Sequence, residues 1–237
     1  MSVHTLRRGL WVPKASVAVP DLALRGTPTT GIDTSTSTNT VTVNAPTGLA
    51  EGDLVYLIGG ANGNNHDPAT WPSGFDLLDE YDTRGSYIGV ARDIMGASPP
   101  STFQMQTSGN QRMGLICVAF QKDSFNSTTP EDDTGVAGSD LNATDPIPVP
   151  GITTNVNGSW FLQVASVQSS SSTHVLVPPG AMTELATADY RVSGNWGGVL
   201  YAYYEKRDTA GATGSRDWQN DQGRPHAYMP FGVRQAA

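Results

Sequence analysis

The chain has 237 residues, a formal net charge of −8, 26 glycines, 16 prolines and only 15% charged residues. This length suits one large domain, and short apolar bursts separated by Gly and Pro predict many strands joined by turns. The negative charge and the single cysteine argue against a nucleic-acid-binding body and exclude a scaffold built on internal disulfides. Because no apolar stretch approaches the roughly 18 residues that cross a bilayer, we expect a soluble protein made in the cytoplasm, without a membrane partner.

The first predicted element is an extended N-terminal arm over residues 1–30. Apolar side chains occur there among prolines at positions 13, 20 and 28, which favour an extended path laid over another surface. Residues 1–26 carry four basic groups against one acidic group, so the arm is positive while the rest of the chain is negative. A free terminus and a first edge strand are the alternatives. The candidate contacts of a partner-docking arm are Leu6, Arg7, Arg8, Leu10, Trp11 and Val12.

Strands are predicted along the remaining chain, after a polar linker at residues 33–40. In the first half they are 40–45, 54–59, 75–82, 86–94, 102–107 and 112–120. In the second half they are 146–150, 160–167, 182–188, 198–207, 216–220 and 226–234. We therefore expect residues 31–237 to form a single all-β domain.

Two similar segments suggest that the domain is built from two pseudo-repeated halves. RDIMGASPPSTF at residues 92–103 resembles RDTAGATGSRDW at residues 207–218, and a shift near 110 residues aligns the other strands. The repeats extend over about 40–122 and 146–234. Since half a sandwich would expose an apolar face, each half is expected to cover the other. The predicted fold is a jelly-roll-like antiparallel β-sandwich, and a single closed sheet is the main alternative.

Glycines and prolines recur at equivalent places in the two halves. Gly74 follows Pro72, and Gly180 follows Pro178 and Pro179, so each segment is expected to reverse the chain with a glycine at positive φ. For GASPP and GATGS we likewise favour a tight connection over a ligand-binding loop.

The sequence contains none of the common catalytic motifs, so we expect no enzymatic activity and no cofactor. The four histidines are far apart in sequence, and we expect no metal site. Two acidic groups are expected to be solvated surface, and the second resembles no EF-hand loop. They are Asp79, Glu80 and Asp82, and Glu131, Asp132 and Asp133. Cys117, within an apolar run, is expected to be buried core.

The loop between Gly59 and Pro72 is the best candidate for a recognition surface. Its side chains offer hydrogen-bond donors and acceptors, and its tryptophan could stack on a sugar ring, although packing on a neighbouring strand is the favoured role. The candidate residues are Asn62, Asn64, Asn65, His66, Asp67 and Trp71.

Three segments of the first half together resemble a group of tailed-bacteriophage virion proteins, and the second half carries a weaker copy. The segments are APTGLAEGDLVYLIGG, WPSGFDLLDEY and YIGVARDIMGASPPSTFQMQTSGNQRMGLICVAF. The resemblance covers about residues 40–233 and lies in the pattern of turns and strands. It implies a non-enzymatic β-sandwich on the particle, on the head or in a fibre or tail-tip assembly.

The sequence leaves two functions open, one structural and one in binding. The first is a capsid decoration or cement protein, made in the host cytoplasm and located on the virion. It would bind other virion proteins, the major capsid protein above all, as a homo-oligomer such as a trimer. The second is a tail-fibre or tail-tip adhesion module that binds host-surface glycans through the loop before Pro72. A polysaccharide hydrolase is a more distant third.

Overall fold

The computed structural model describes residues 19–62, 69–83, 85–140, 146–169, 176–192, 194–220 and 224–236. This part of the chain contains eighteen β-strands and no helix, so the expected all-β class is confirmed. All twelve predicted strands are present, with ends within three residues of those expected. The strands are β1 (Thr29–Asp33), β2 (Thr40–Asn44), β3 (Leu54–Asn62), β4 (Asp76–Thr83), β5 (Ser86–Ile94), β6 (Thr102–Gln106), β7 (Arg112–Phe120), β8 (Glu131–Thr134), β9 (Gly138–Asp140), β10 (Ile147–Val149), β11 (Thr153–Thr154), β12 (Ser159–Ser169), β13 (Leu176–Val177), β14 (Thr183–Asp189), β15 (Gly197–Arg207), β16 (Gly211–Ala212), β17 (Arg216–Asn220) and β18 (His226–Val233).

Two large antiparallel sheets form the centre of the molecule. The first has the strand order β1-β7-β3-β5-β4, and the second has the order β14-β15-β12-β18-β8, with β9 also paired to β18. Three small sheets accompany them: β2-β6, β10-β17-β13 and β11-β16. Both large sheets are open, so the alternative of one closed sheet is wrong.

The two large sheets use the strands of their own half of the chain in a matching order. In the first sheet the neighbours run β7-β3-β5-β4, and in the second they run β18-β12-β15-β14. If the four strands of each set are numbered in chain order, both sheets have the spatial order fourth, first, third, second. The small sheets β2-β6 and β10-β17 also pair the strands predicted to be equivalent.

Three apolar cores separate these layers. The central core lies between the two large sheets and takes Tyr56 and Ile58 from one side and Leu162 and Phe231 from the other. An outer core lies between each large sheet and its small sheet. Because successive side chains of a strand point to opposite faces, a strand buried on both faces must be apolar throughout. Strand β3 is buried at every position for this reason.

The described part of the predicted arm, residues 19–30, packs against the sandwich itself. Leu22 is buried in the central core, and the side-chain amide of Gln235 donates to the Pro20 carbonyl at 2.9 Å. Strand β1 then pairs with β7 as an edge strand, which is the alternative considered for this region. The candidate docking residues Leu6, Arg7, Arg8, Leu10, Trp11 and Val12 lie outside the described residues.

The segments Pro72–Gly74 and Pro178–Gly180 both make turns, but the glycine occupies a different position in each turn. Gly74 has a φ of 95°, and the Phe75 amide donates to the Pro72 carbonyl at 3.1 Å, so this turn needs the positive φ that was expected. In the second half the Met182 amide donates to the Pro179 carbonyl at 3.0 Å. Gly180 is therefore the second residue of its turn, and it does not have the expected positive φ.

Candidate functional site

Asn62, at the start of the predicted recognition loop, is a buried structural residue. Its side-chain amide donates to the Gly197 carbonyl at 2.6 Å, and its oxygen accepts from Gln168 at 2.8 Å. Both partners belong to the second half of the chain, so Asn62 ties the two large sheets together. Asn64, Asn65, His66 and Asp67 lie outside the described residues.

Trp71, at the end of the same loop, is half-buried and packs against the first outer core. A Cβ built on Gly59 or Gly89 would lie 2.9 Å from the indole ring, so the ring rests directly on these two backbone positions of β3 and β5. This contact agrees with the packing role that was favoured. Val177, its counterpart in the second half, is instead 52% exposed.

A cleft of about 600 Å³ lies immediately after Trp71, on the outer side of the first large sheet. One wall is the turn that begins at Pro72, and the other walls are strand β6 and the connection that leads into it. We call it the β6 cleft, and its lining residues are Pro72, Ser73, Phe75, Asp93, Met95, Gly96, Ser98, Pro99, Pro100, Thr102, Phe103 and Gln104. The first copy of the repeated segment thus both joins two strands and lines a cavity, which the sequence did not predict.

The cleft exists because the backbone pairing between the segment at Thr70 and strand β6 stops after one residue pair. Thr70 exchanges two backbone hydrogen bonds with Gln106 of β6, at 2.6 and 3.0 Å. Continued pairing would bring Pro72 opposite Gln104, but proline has no N–H to donate and the turn to Phe75 carries the chain away. The prolines at 72, 99 and 100 are the sequence signal that could have indicated a gap here.

Asp93 is the charged group of the β6 cleft. Asp93 and Arg92 are neighbours on β5, so their side chains point to opposite faces of the sheet. Arg92 lies on the central-core side and binds Glu131 at 2.7 Å. Burial raises the pKa of Asp93, and the negative charge of Asp76 adds to this, although the Ile94 amide and the positive charge of Arg92 oppose it. Among the described residues no basic side chain lies within ion-pair distance of Asp93. Within this part of the chain the carboxylate is therefore partly desolvated and has no ion-pair partner.

The second half differs from the first at the place equivalent to the β6 cleft, because strand pairing continues further. Strand β13 pairs with β17 there, at Gln219 and Asn220. A hollow of about 280 Å³ lies near the second copy of the repeated segment and is lined by Asp133, Gly151, Ile152, Thr153, Ala212, Gly214 and Ser215.

The acidic groups predicted to be solvated surface are partly structural. Glu131 belongs to strand β8 and is only 13% exposed, because it accepts from the Tyr56 hydroxyl at 2.9 Å and pairs with Arg92. Asp132 accepts from the Asn155 amide at 2.7 Å, and Asp133 from the Thr153 amide at 2.9 Å. The prediction is therefore wrong for Glu131, which links the two large sheets.

Cys117 is fully buried, as expected, and burial raises the pKa of its thiol to about 12. Within the described ranges no three His, Cys, Asp or Glu side chains lie close enough together to hold a metal ion. In the same part of the chain no helix has the length and apolar character needed to cross a membrane. No protein-family model, no curated protein and no solved structure shows a significant match to the chain.

Proposed function

We propose that the protein is a non-enzymatic structural protein of a bacteriophage virion, a decoration or cement protein that docks on the assembled capsid. The observation that carries this proposal is the resemblance over about residues 40–233 to tailed-phage virion proteins. Its quoted segments fall on the strands and turns that build the first large sheet, and its weaker copy falls on those of the second. The proposed partner is the major capsid protein, and the proposed state is a small homo-oligomer such as a trimer.

We also infer that the sandwich consists of two pseudo-repeated halves, about 40–122 and 146–234. Support comes from the matching strand orders of the two large sheets. The repeated segments 92–103 and 207–218 both begin near the end of a strand, β5 and β15, and both end within a strand of a small sheet, β6 and β17. They are not in structural register, because Arg92 lies opposite Tyr56 whereas Arg207 lies opposite Ser159. The jelly-roll connectivity stays a prediction.

The test of the proposed function is deletion of residues 1–18. The deletion must stop there, because Leu22 and Arg25 contribute to the sandwich. We expect the shortened protein to keep the circular-dichroism spectrum of the full chain but to lose co-sedimentation with heads assembled from the capsid protein of the same phage. Co-sedimentation of both forms would contradict docking through the arm.

Failure of the full chain to co-sediment with such heads would refute the decoration function. Glycan binding that survives the deletion and weakens in Trp71→Ala would support the adhesion function instead. Since the Trp71 ring packs on Gly59 and Gly89, this variant also requires a melting curve. Its glycan binding is informative only where the variant remains folded.

A further inference from the structure

In the β6 cleft, the edge of β6 at Thr102 and Gln104 has no strand partner among the described residues. The amide of Ala45 donates to the carbonyl of Ser101, and the amide of Thr107 donates to the carbonyl of Asn39, so odd-numbered residues of β6 direct their backbone groups toward β2. Gln106 directs its backbone N–H and C=O groups toward Thr70, on the side of β6 that faces away from β2. Backbone direction alternates along a strand, so the N–H and C=O groups of Thr102 and Gln104 point away from β2 and into the cleft. Such an edge is where an extended peptide adds as a further strand.

The lining of the cleft limits which peptide fits. Phe75, Met95 and the prolines at 99 and 100 offer apolar walls, and Asp93 supplies a partly buried negative charge that has no ion-pair partner among the described residues. Asp76 is not part of this lining, because it lies opposite Arg92 of β5 and pairs with it at 3.8 Å. The complementary ligand is therefore an extended segment that carries apolar side chains and at least one Lys or Arg.

The chain itself contains a segment of this kind outside the described residues. Residues 1–18 include Arg7, Arg8 and Lys14 and no acidic residue, in a chain whose net charge is −8. In an extended strand Arg8, Leu10, Val12 and Lys14 would share one face. Pro13 would be tolerated because the added strand is an edge strand.

The position of residue 19 favours docking between copies. Pro20 is bound by Gln235, and Leu22 lies in the central core, so the described chain starts on the side of the first large sheet that faces the second. The β6 cleft lies on the opposite, outer side of that sheet. Docking into the same molecule would require the segment to turn around the sheet, whereas a neighbouring molecule can present its cleft directly. If residues 6–14 occupy a cleft, the five residue steps from Lys14 to Val19 remain as the linker, and they span at most about 18 Å.

We propose that residues 6–14 of a second copy of this chain add as a strand to the Thr102 and Gln104 edge of β6, with a basic side chain against Asp93. Each copy then gives one segment and receives one, which links the copies into a homo-oligomer. This interaction goes beyond the proposed function, since it needs no capsid.

The test compares the oligomeric state of full-length variants by sedimentation velocity over a range of concentrations. We expect the wild-type chain to self-associate and Asp93→Lys to weaken the association by about tenfold or more, because it reverses the charge that receives the basic side chain. Asp208→Lys is the matched control: Asp208 follows Arg207 in the second copy of the repeated segment, is exposed and lies outside the β6 cleft. It should associate as the wild type does.

A charge exchange keeps the test independent of damage to the fold. Replacing Lys14 by Glu should also weaken association, and combining this change with Asp93→Lys should restore it. Carbodiimide cross-linking of a mixture of isotope-labelled and unlabelled chains should join Lys14 of one copy to an acidic side chain of the β6 cleft of another. A monomer at all concentrations, an association unaffected by Asp93→Lys, or cross-links confined to one chain would each overturn the proposal. None of these measurements involves heads, so this proposal and the decoration function can fail separately.

Discussion

The buried carboxylate of Asp53 holds the N-terminal segment against the sandwich, and its replacement by Asn should be strongly destabilising. One oxygen accepts from Arg25 at 2.8 Å and from the Ala50 amide at 2.9 Å. The other accepts from Arg25 at 3.0 Å and from the Lys122 amide at 2.9 Å. Asp53 is fully buried, so an Asn side chain would turn its NH₂ group toward two of these donors in either orientation.

The expected loss follows from the two hydrogen bonds that Asn cannot make. One involves the guanidinium and one a backbone amide, and leaving such donors without an acceptor costs about 3 kcal/mol in total. For a domain of this length that corresponds to a melting temperature lower by roughly 6 to 12 °C. Asp76→Asn is the control, because its side chain is exposed and lies 3.8 Å from Arg92, so its effect should stay within about 0.5 kcal/mol. A loss below about 1 kcal/mol in Asp53→Asn would refute the structural role.

The pH dependence of the same pair has a defined sign. Burial pushes the pKa of Asp53 upward, but the hydrogen bonds from Arg25 and from the Lys122 and Ala50 amides outweigh it, so the folded pKa is lowered. A lowered folded pKa means that the stabilisation is complete above the unfolded value of about 4 and is lost as the pH falls toward the folded value. The stability difference between wild type and Asp53→Asn should therefore shrink below pH about 4. A difference that grows with acidification would contradict the assignment.

Three further predictions concern the cores. Gly114→Ala would place a Cβ 2.8 Å from the Tyr190 ring and should cost about 1 to 3 kcal/mol in denaturant unfolding, whereas Gly96→Ala, with open space around it, should change little. Trp218→Phe removes the 2.8 Å bond from the indole N–H to Gln163 and should cost about 3 kcal/mol; an unchanged unfolding midpoint would argue against that bond. Cys117, with its pKa raised to about 12 by burial, should react with thiol reagents at neutral pH only after unfolding, and rapid labelling of the native protein would contradict its burial.

Strand positions and the buried core were largely predictable from the sequence, because periodicity reports which faces of a strand are apolar. The run from Leu54 to Ile58 indicated a buried strand, and β3 is buried throughout. This run could not indicate in which core each face of the strand packs. Tyr56 packs in the central core and Val55 in the outer one, and that division depends on which sheets lie on either side.

Strands with polar sequences could not be predicted, because their formation depends on partners that are distant in sequence. Strand β8 carries EDDT, which has no apolar alternation, and it becomes a strand because it pairs with β18 and because Glu131 meets Arg92 from the other half of the chain. Strand β1, which begins at the end of the predicted arm and which the sequence offered only as an alternative, likewise depends on its pairing with β7. These partners are distant in sequence, so local pattern carries no information about them.

The sequence by itself determined the all-β class, the positions of twelve of the eighteen strands and the burial of Cys117, since each depends on residue type and short-range spacing. Only the tertiary structure decided that Asn62 is a buried tie between sheets and that Asp93 lines a cleft. Both outcomes depend on how closely segments from different parts of the chain approach one another. The backbone pairing with β6 ends at Thr70, before Pro72, and the space left beside β6 is a consequence of packing that no single segment encodes.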